Sequence, residues 1–552
     1  MSQPITLTVG GLLDDMARRY PDNDALVYPE RGLRYSYHQF NDLCRQVAKG
    51  LLAMGIKKGD HLSIWAYNVP EWVILQFATA KIGAVLVTVN TSYKSAELEY
   101  ILNQSDSTTL FMVRSFKDSD YVQTVNDVIP ELTTSQPGQL NTPKLPHLKR
   151  VIFIGDNTPA GMLNFNSIIG QGKDISDQRL AAVEAGLDCH DTINMQYTSG
   201  TTGFPKGVML THYNVVNNGY NIGECMRLTE KDRLCIPVPF FHCFGCVLGV
   251  MACVTHGTTM VPVEIFDPLK VLQTIEKEKC TAVHGVPTMF IAELEHPQFK
   301  TFDLTSLRTG IMAGSNCPIE VMKKVIADMH ASEITIAYGQ TESSPVITQT
   351  RTDDAIELRV ATVGRALPDV EVKIVDIETG ATLPPGKQGE LCTRGYLVMK
   401  GYYKMPDETA RAIDSDNWLH TGDLAIMDEN GYCKITGRIK NMIIRGGENI
   451  YPREIEEYLY THPKISDVQV YGVPDRKYGE QVMASIILKK GMTMDEEEVR
   501  AFCRDKIANY KIPKYVRFVE NYPMTASGKI QKFKMREMAI KEMQLDEAGP
   551  TA

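Results

Sequence analysis

A chain of 552 residues is too long for one ordinary hydrophobic core and implies several packed units. Its 43% hydrophobic and 23% charged residues are those of a soluble globular protein, and a formal net charge of −9 excludes a broad basic footprint for nucleic acid or an anionic membrane surface. Anionic substrates must therefore be met by local positive charge.

Residues 1–13 hold neither a basic start with an apolar run nor an Arg- and Ser-rich amphipathic pattern, so no targeting signal is read there and the cytoplasm is the expected compartment. In that compartment the 12 cysteines are expected as reduced thiols. Runs rich in apolar and β-branched residues predict strands at 61–66, 108–113, 150–154, 258–263, 281–286, 308–313 and 333–338. Amphipathic helices are predicted between them, such as 94–104, with Leu98, Ile101 and Leu102 on one face, and 268–279, with Leu269, Leu272 and Ile275. Strands separated by helices imply α/β architecture with parallel sheets and binding sites at strand ends. Residues 133–146, rich in Pro, Ser and Thr, read as a surface loop. The most apolar stretch, 243–254, falls short of the ~18 residues of a membrane span and is expected as a buried helix.

From about Val370 the pattern changes to short strands, 370–376 and 389–394, around the turn Pro384-Pro-Gly386. This predicts a small β-rich subdomain over about 365–437. After Arg438 a second α/β pattern begins, with a helix at 452–460, strands at 468–473 and 482–488, and an amphipathic helix carrying Val499, Phe502, Cys503 and Ile507. The expected organisation is a large N-terminal domain, 1–437, and a small α+β C-terminal domain, 438–552.

The strongest local signal is Tyr197-Thr-Ser-Gly-Thr-Thr-Gly-Phe-Pro-Lys-Gly207, directly after a predicted strand at 192–196. Gly200, Gly203 and Gly207 let backbone approach an anion, Thr198, Ser199, Thr201 and Thr202 supply neutral donors, and Lys206 supplies charge. Together they predict a polyphosphate-binding loop. It is not a Walker loop, because Lys206 precedes its glycine and no Gly-Lys-Ser/Thr opens a helix.

Four further motifs follow in order: Tyr338-Gly-Gln-Thr-Glu342, Thr421-Gly-Asp423, Gly437-Arg-Ile-Lys440 and Ser527-Gly-Lys529. Each alone is an ordinary polar turn. Their ordered co-occurrence over almost the whole chain resembles the adenylate-forming (AMP-binding) superfamily of acyl-CoA synthetases, adenylation domains and firefly-type luciferases, and most of all its medium- and long-chain fatty acyl-CoA synthetases.

The resemblance implies ATP, Mg²⁺ and coenzyme A as cofactors and a carboxylic acid as substrate. The phosphate loop, from Thr198 through Gly203 to Lys206, would hold the nucleotide together with Gly314, Ser315, Tyr338, Gly339, Gln340 and Thr341. In this pattern Tyr338 stacks on adenine, Thr341 contacts the α-phosphate, and Glu342 and Thr198 hold Mg²⁺. Asp423 and Arg438 serve the ribose, Lys529 the adenylation step, and Lys440 is the hinge on which the C-terminal domain swings. The segment Arg445-Gly446-Gly447-Glu448 then serves thioester formation, its glycines leaving room for a pantetheine arm. The family usually carries a lysine where this chain has Met524, so no second positive charge is expected beside Lys529.

Phe241 and His242, in Pro237-Val-Pro-Phe-Phe-His242, match the family's aromatic gate at the acyl pocket; a lone His at a helix start is also a common structural residue. Cys243-Phe-Gly-Cys246 lacks a second ligand pair and reads as core thiols. Short-chain members carry Trp at the position of Gly339. Its absence implies an open pocket near Phe241, 283–289, 310–314 and Val346 for a medium or longer fatty acid or an alicyclic acid, with Gly339→Trp expected to shift preference toward short acids. An aryl-CoA ligase is the neighbouring alternative. A luciferase-like oxidoreductase and a silent AMP-binding protein are the alternatives from other classes. No nucleic-acid partner and no membrane span are expected, and a homodimer is compatible with the resemblance.

Overall fold

Runs of four or five residues buried on both faces, such as Val85–Thr88, Ala282–Gly285 and Thr309–Ala313, form the centres of two sheets. The computed structural model describes residues 4–198, 205–314, 317–445, 448–475, 477–504, 506–507, 509–525 and 529–545. Among these, a 9-stranded sheet carries Thr335–Gly339, Thr309–Ala313, Ala282–Gly285, Arg233–Ile236, Thr259–Pro262 and Asp24–Tyr28 as parallel neighbours, with antiparallel strands at both edges. An 8-stranded sheet sets Thr192–Thr198, Val85–Thr88, His61–Trp65, Thr109–Met112 and Arg150–Phe153 in parallel and ends on the hairpin partner Lys206–Thr211 and Gly401–Tyr402. These are the parallel α/β sheets the alternating pattern implies.

The helices follow their local signals. Pro268–Glu278 starts at Asp267, whose carboxylate accepts from the Lys270 N–H, has Pro at its first turn, and buries Val271, Leu272 and Ile275. The apolar stretch expected as an ordinary buried helix is a π-helix over Phe244–Met251 that continues as α-helix over Ala252–His256. π-Turns of this kind concentrate at functional sites. Gly245 permits the close seat of this helix, since a Cβ there would lie 2.3 Å from the Pro239 carbonyl oxygen. No helix among the described residues is long and apolar enough to cross a membrane.

The chain divides into two compact units, one of residues 1–372 and 393–419, the other of 373–392 and 420–552. The division falls within the β-rich region. The reason is pairing: the strand Leu419–Met427 runs antiparallel to Cys433–Arg438 within a 4-stranded sheet. The second unit also holds a 5-stranded sheet built on the long hairpin Ile465–Asp475 and Gly479–Leu488. Helix Pro452–Leu459 packs on it, and helix Glu496–Cys503 ends before Ile507, which was expected within it.

One buried acid sets a pH dependence. Glu293, on helix Pro287–Leu294, is 1% exposed, and among the described residues nothing bonds its Oε2. Burial pushes its pKa well above the ordinary carboxylate range. The unfolded chain ionises this group near ~4.3, so above that pH the folded state keeps a proton the unfolded state has lost, and stability falls as pH rises toward the folded value. Glu293→Gln copies the neutral shape. Its Tm relative to wild type should rise from about pH 5 to about pH 8; a difference constant with pH would refute a protonated Glu293.

Candidate functional site

The phosphate-loop motif is carried by the antiparallel pair Thr192–Thr198 and Lys206–Thr211, in which Thr198 stands opposite Lys206 and Tyr197 opposite Gly207. Ser199, Gly200, Thr201, Thr202 and Gly203 lie outside the described residues. Lys206 pairs with Glu408 at the start of helix Pro406–Ala412 and lies 5.0 Å from the centroid of the Tyr402 ring. The ammonium holds the Glu408 carboxyl below its ordinary value.

Tyr402 also reaches the second motif. Its hydroxyl donates to Glu342 Oε1 at 2.8 Å, and burial raises its pKa so that it remains a donor. The Met399 N–H binds the Glu342 carbonyl at 2.9 Å. One phenol thus touches both the loop lysine and the motif carboxylate. The Glu342 carboxylate is braced by a neutral hydroxyl, which leaves its charge for a hard, oxygen-preferring cation.

Tyr338, Gly339 and Gln340 leave the strand Thr335–Gly339 at its C-terminal end, and Thr341 and Glu342 start the 3₁₀ turn Thr341–Ser343. The turn is pinned by Gln340 N–H to the Pro345 carbonyl (3.0 Å) and by the Ser343 hydroxyl to the same oxygen (2.6 Å). Buried Asn218 adds a two-way clamp on Val346, donating to its carbonyl at 2.9 Å and accepting its N–H at 3.0 Å. Thr341 is 7% exposed and lies 3.8 Å from Cys243 Sγ.

The structure gives Gly339 a different reason from the open pocket floor. A Cβ at 339 would sit 1.8 Å from the Pro345 carbonyl oxygen and 3.0 Å from Val346 Cα. The residue is small because two backbones meet there, and its side-chain direction is into the hairpin. Gly314 ends the strand Thr309–Ala313 with φ +91, a conformation suited to glycine; Ser315 lies outside the described residues.

Phe241 is 8% exposed, and His242 Nδ1 accepts the Phe244 N–H at 3.1 Å, capping the entry to the π-helix. That bond gives His242 a structural task at the place where the resemblance puts a gate. Cys243 and Cys246 are both buried, as expected of core thiols.

In the second unit Asp423, 2% exposed, faces Arg438 across the strand pair, with Arg438 Nε 2.7 Å from its Oδ1. Glu390 holds the turn that carries Asp423: its Oε2 lies 2.8 Å from His420 Nδ1 and its Oε1 accepts the Gly422 N–H at 2.9 Å. Lys440 is exposed in the 3₁₀ turn Ile439–Asn441. In backbone register Arg445 stands opposite Glu448 across the antiparallel strands Ile443–Arg445 and Glu448–Ile450; Gly446 and Gly447 lie outside the described residues. Lys529 is half-buried, its N–H donating to Thr525 Oγ1 at 3.0 Å.

The motifs themselves were legible, but Tyr402, Glu408, Asn218 and Glu390 were not. Each stands far along the chain from the motif it braces. The only sequence hint is the aromatic-acidic segment Tyr402-Tyr-Lys-Met-Pro-Asp-Glu408, which has no chemistry until it is folded against Lys206 and Glu342.

Residues 13–403 match the family model for AMP-binding enzymes, and residues 454–529 match that for the AMP-binding enzyme C-terminal domain. The chain is 60% identical over 545 residues, 99% of each chain, to YngI of Bacillus subtilis (strain 168), which is named as an acyl-CoA synthetase. It is 43% identical over 543 residues to the mitochondrial medium-chain acyl-CoA ligase ACSF2 of Bos taurus, covering 98% of this chain and 88% of that one. Among solved structures, the anthranilate CoA ligase AuaEII in complex with anthranoyl-AMP superimposes with a TM-score of 0.86 at 26% identity, over 98% of this chain and 99% of that one.

Proposed function

The chain belongs to the AMP-binding enzyme family, and from that premise we propose that it is an AMP-forming acyl-CoA synthetase acting on medium-chain fatty acids. The observation that carries the reading is the Tyr402 bridge, which ties the loop lysine Lys206 to the carboxylate Glu342 within one unit.

A carboxylic acid is ionised at neutral pH, so the first step needs no general base. Its carboxylate oxygen attacks the α-phosphorus of ATP, the bond to the bridging oxygen breaks, and pyrophosphate leaves. The task is electrostatic, and preorganised donors at the oxygens where charge gathers do most of it. Lys206 and the loop hydroxyls meet the phosphates, Thr341 orients the α-phosphate, Tyr338 covers the adenine, and Asp423 with Arg438 takes the ribose. Glu342 and Thr198 would hold Mg²⁺, which when bound neutralises phosphate charge. Lys529 supplies the cation for adenylation.

In the second step the coenzyme A thiol attacks the acyl carbonyl, its proton passes to solvent, and the bond to AMP breaks. The segment 445–448 serves this step, with Lys440 as the hinge between the two. A cytoplasmic location is supported by the likeness to the bacterial YngI.

The medium-chain assignment rests on the ACSF2 relationship. The likeness to an anthranilate ligase supports an aryl acid as a second reading. A panel from acetate to palmitate, with benzoate and cyclohexanecarboxylate, assayed for ATP- and CoA-dependent AMP release, separates them. Hexanoate or octanoate should give the highest kcat/KM. Acetate or benzoate above octanoate would overturn the medium-chain reading.

A further inference from the structure

Lys529 stands on a short segment of the second unit that is tied down at both ends. Upstream, Tyr522 is 5% exposed and its hydroxyl donates to the Ser485 carbonyl at 3.0 Å in the strand Gly479–Leu488. Between the ends, Met524 bridges Ile530, the Thr525 N–H donates to the Lys529 carbonyl at 2.7 Å, and the Gln531 N–H donates to the Pro523 carbonyl at 2.8 Å. Downstream, Lys532 opens helix Lys532–Glu542 and turns its ammonium inward.

That ammonium pairs with Glu456 of helix Pro452–Leu459, which is 6% exposed, and donates to the Val470 carbonyl at 3.0 Å. Glu456 in turn accepts the Val470 N–H at 2.7 Å. The pair therefore grips both polar groups of one residue in the strand Ile465–Asp475. A surface ion pair would contribute little, but this one is mostly withdrawn from water, and Glu456 Oε1 is shared between the Lys532 ammonium and the Val470 N–H. Three residues of chain span at most ~10 Å, so holding Lys532 confines Lys529.

We propose that the Glu456–Lys532 pair is a positioning device for Lys529, a clasp that sets the lysine for adenylation without touching substrate. The inference rests on the reading of Lys529 as the adenylation cation. Displacement of a catalytic group by about an ångström costs on the order of 10²-fold in rate, while a step that does not use the group is untouched. The clasp therefore predicts a selective loss, which general destabilisation of the domain does not.

The test uses the full chain with octanoate. Pyrophosphate exchange into ATP reads adenylation, and thioester formation from synthetic octanoyl-adenylate and coenzyme A reads the second step. Glu456→Gln and Lys532→Gln should each lose roughly 10- to 10²-fold in exchange and keep thioester formation, and Lys532→Arg, which keeps the cation, should recover most of the exchange. Tyr522→Phe, a milder change that removes only the hydroxyl at the other end, should show a smaller loss in exchange alone. Parallel losses in both assays, or no loss in either, overturn the clasp. Lys529→Ala run beside them separates the two levels: if it shows the selective loss and the Glu456 and Lys532 variants do not, the clasp alone is wrong. If Lys529→Ala shows none, the reading of Lys529 falls and takes the clasp with it.

Discussion

Lys529→Ala should lose pyrophosphate exchange by about 10²–10³-fold, the scale on which deletion of one transition-state donor is felt. Charge builds on the phosphate oxygens as the carboxylate attacks, and no other lysine is available in the segment, because Met524 stands where the family usually has one. The variant should still convert supplied acyl-adenylate and coenzyme A to thioester, since the amine has no part in breaking the mixed anhydride. On the proposed role of segment 445–448 in thioester formation, Gly447→Leu should do the reverse, exchanging pyrophosphate normally but stalling before acyl-CoA. Equal losses in both assays for either variant would favour one fixed set of catalytic groups over two groups used in turn.

Gly339→Trp should disable the enzyme for every acid instead of retuning it toward short ones. The obstacle is backbone: even an alanine Cβ would sit 1.8 Å from the Pro345 carbonyl oxygen. That oxygen cannot retreat without breaking its bonds from Gln340 and Ser343, and the next residue, Val346, is held on both polar groups by Asn218. Overpacking of this kind costs about 1–3 kcal/mol and occasionally more. It also displaces Thr341 and Glu342, and a shift of about an ångström there costs on the order of 10²-fold. Measured on Gly339→Ala, Tm should fall, and kcat/KM for acetate and octanoate should fall together with their ratio unchanged. A ratio that moves toward acetate would restore the pocket-floor reading.

The same residue shows where sequence reasoning stops. That a glycine precedes Gln-Thr-Glu is a fact of the chain, and an open pocket is a fair reading of a missing side chain. Whether the missing volume faces substrate or a neighbouring strand depends on the antiparallel register in which Gly339 meets Val346. His242 is a parallel case. Its position beside an apolar run was legible, but the Phe244 N–H that its ring accepts exists only because the chain turns there into a π-helix.

By itself the sequence determined the alternation of strand and helix, the buried apolar runs and the order of the motifs. All of these are local: they depend on side-chain period, on glycine and proline, and on residues within one turn of each other. Tertiary structure alone decided the rest. The strand Asp24–Tyr28 joins the larger sheet beside Thr259–Pro262, with Leu26 opposite Met260, a pairing that no local pattern encodes. Tyr402 meets Lys206 and Glu342, Glu390 holds the turn of Asp423, and Lys532 finds Glu456, each across a sequence gap that only packing closes. Motif residues announce themselves because chemistry restricts their type and spacing. The residues that aim them do not, because any donor or acceptor that the fold delivers to the right place serves.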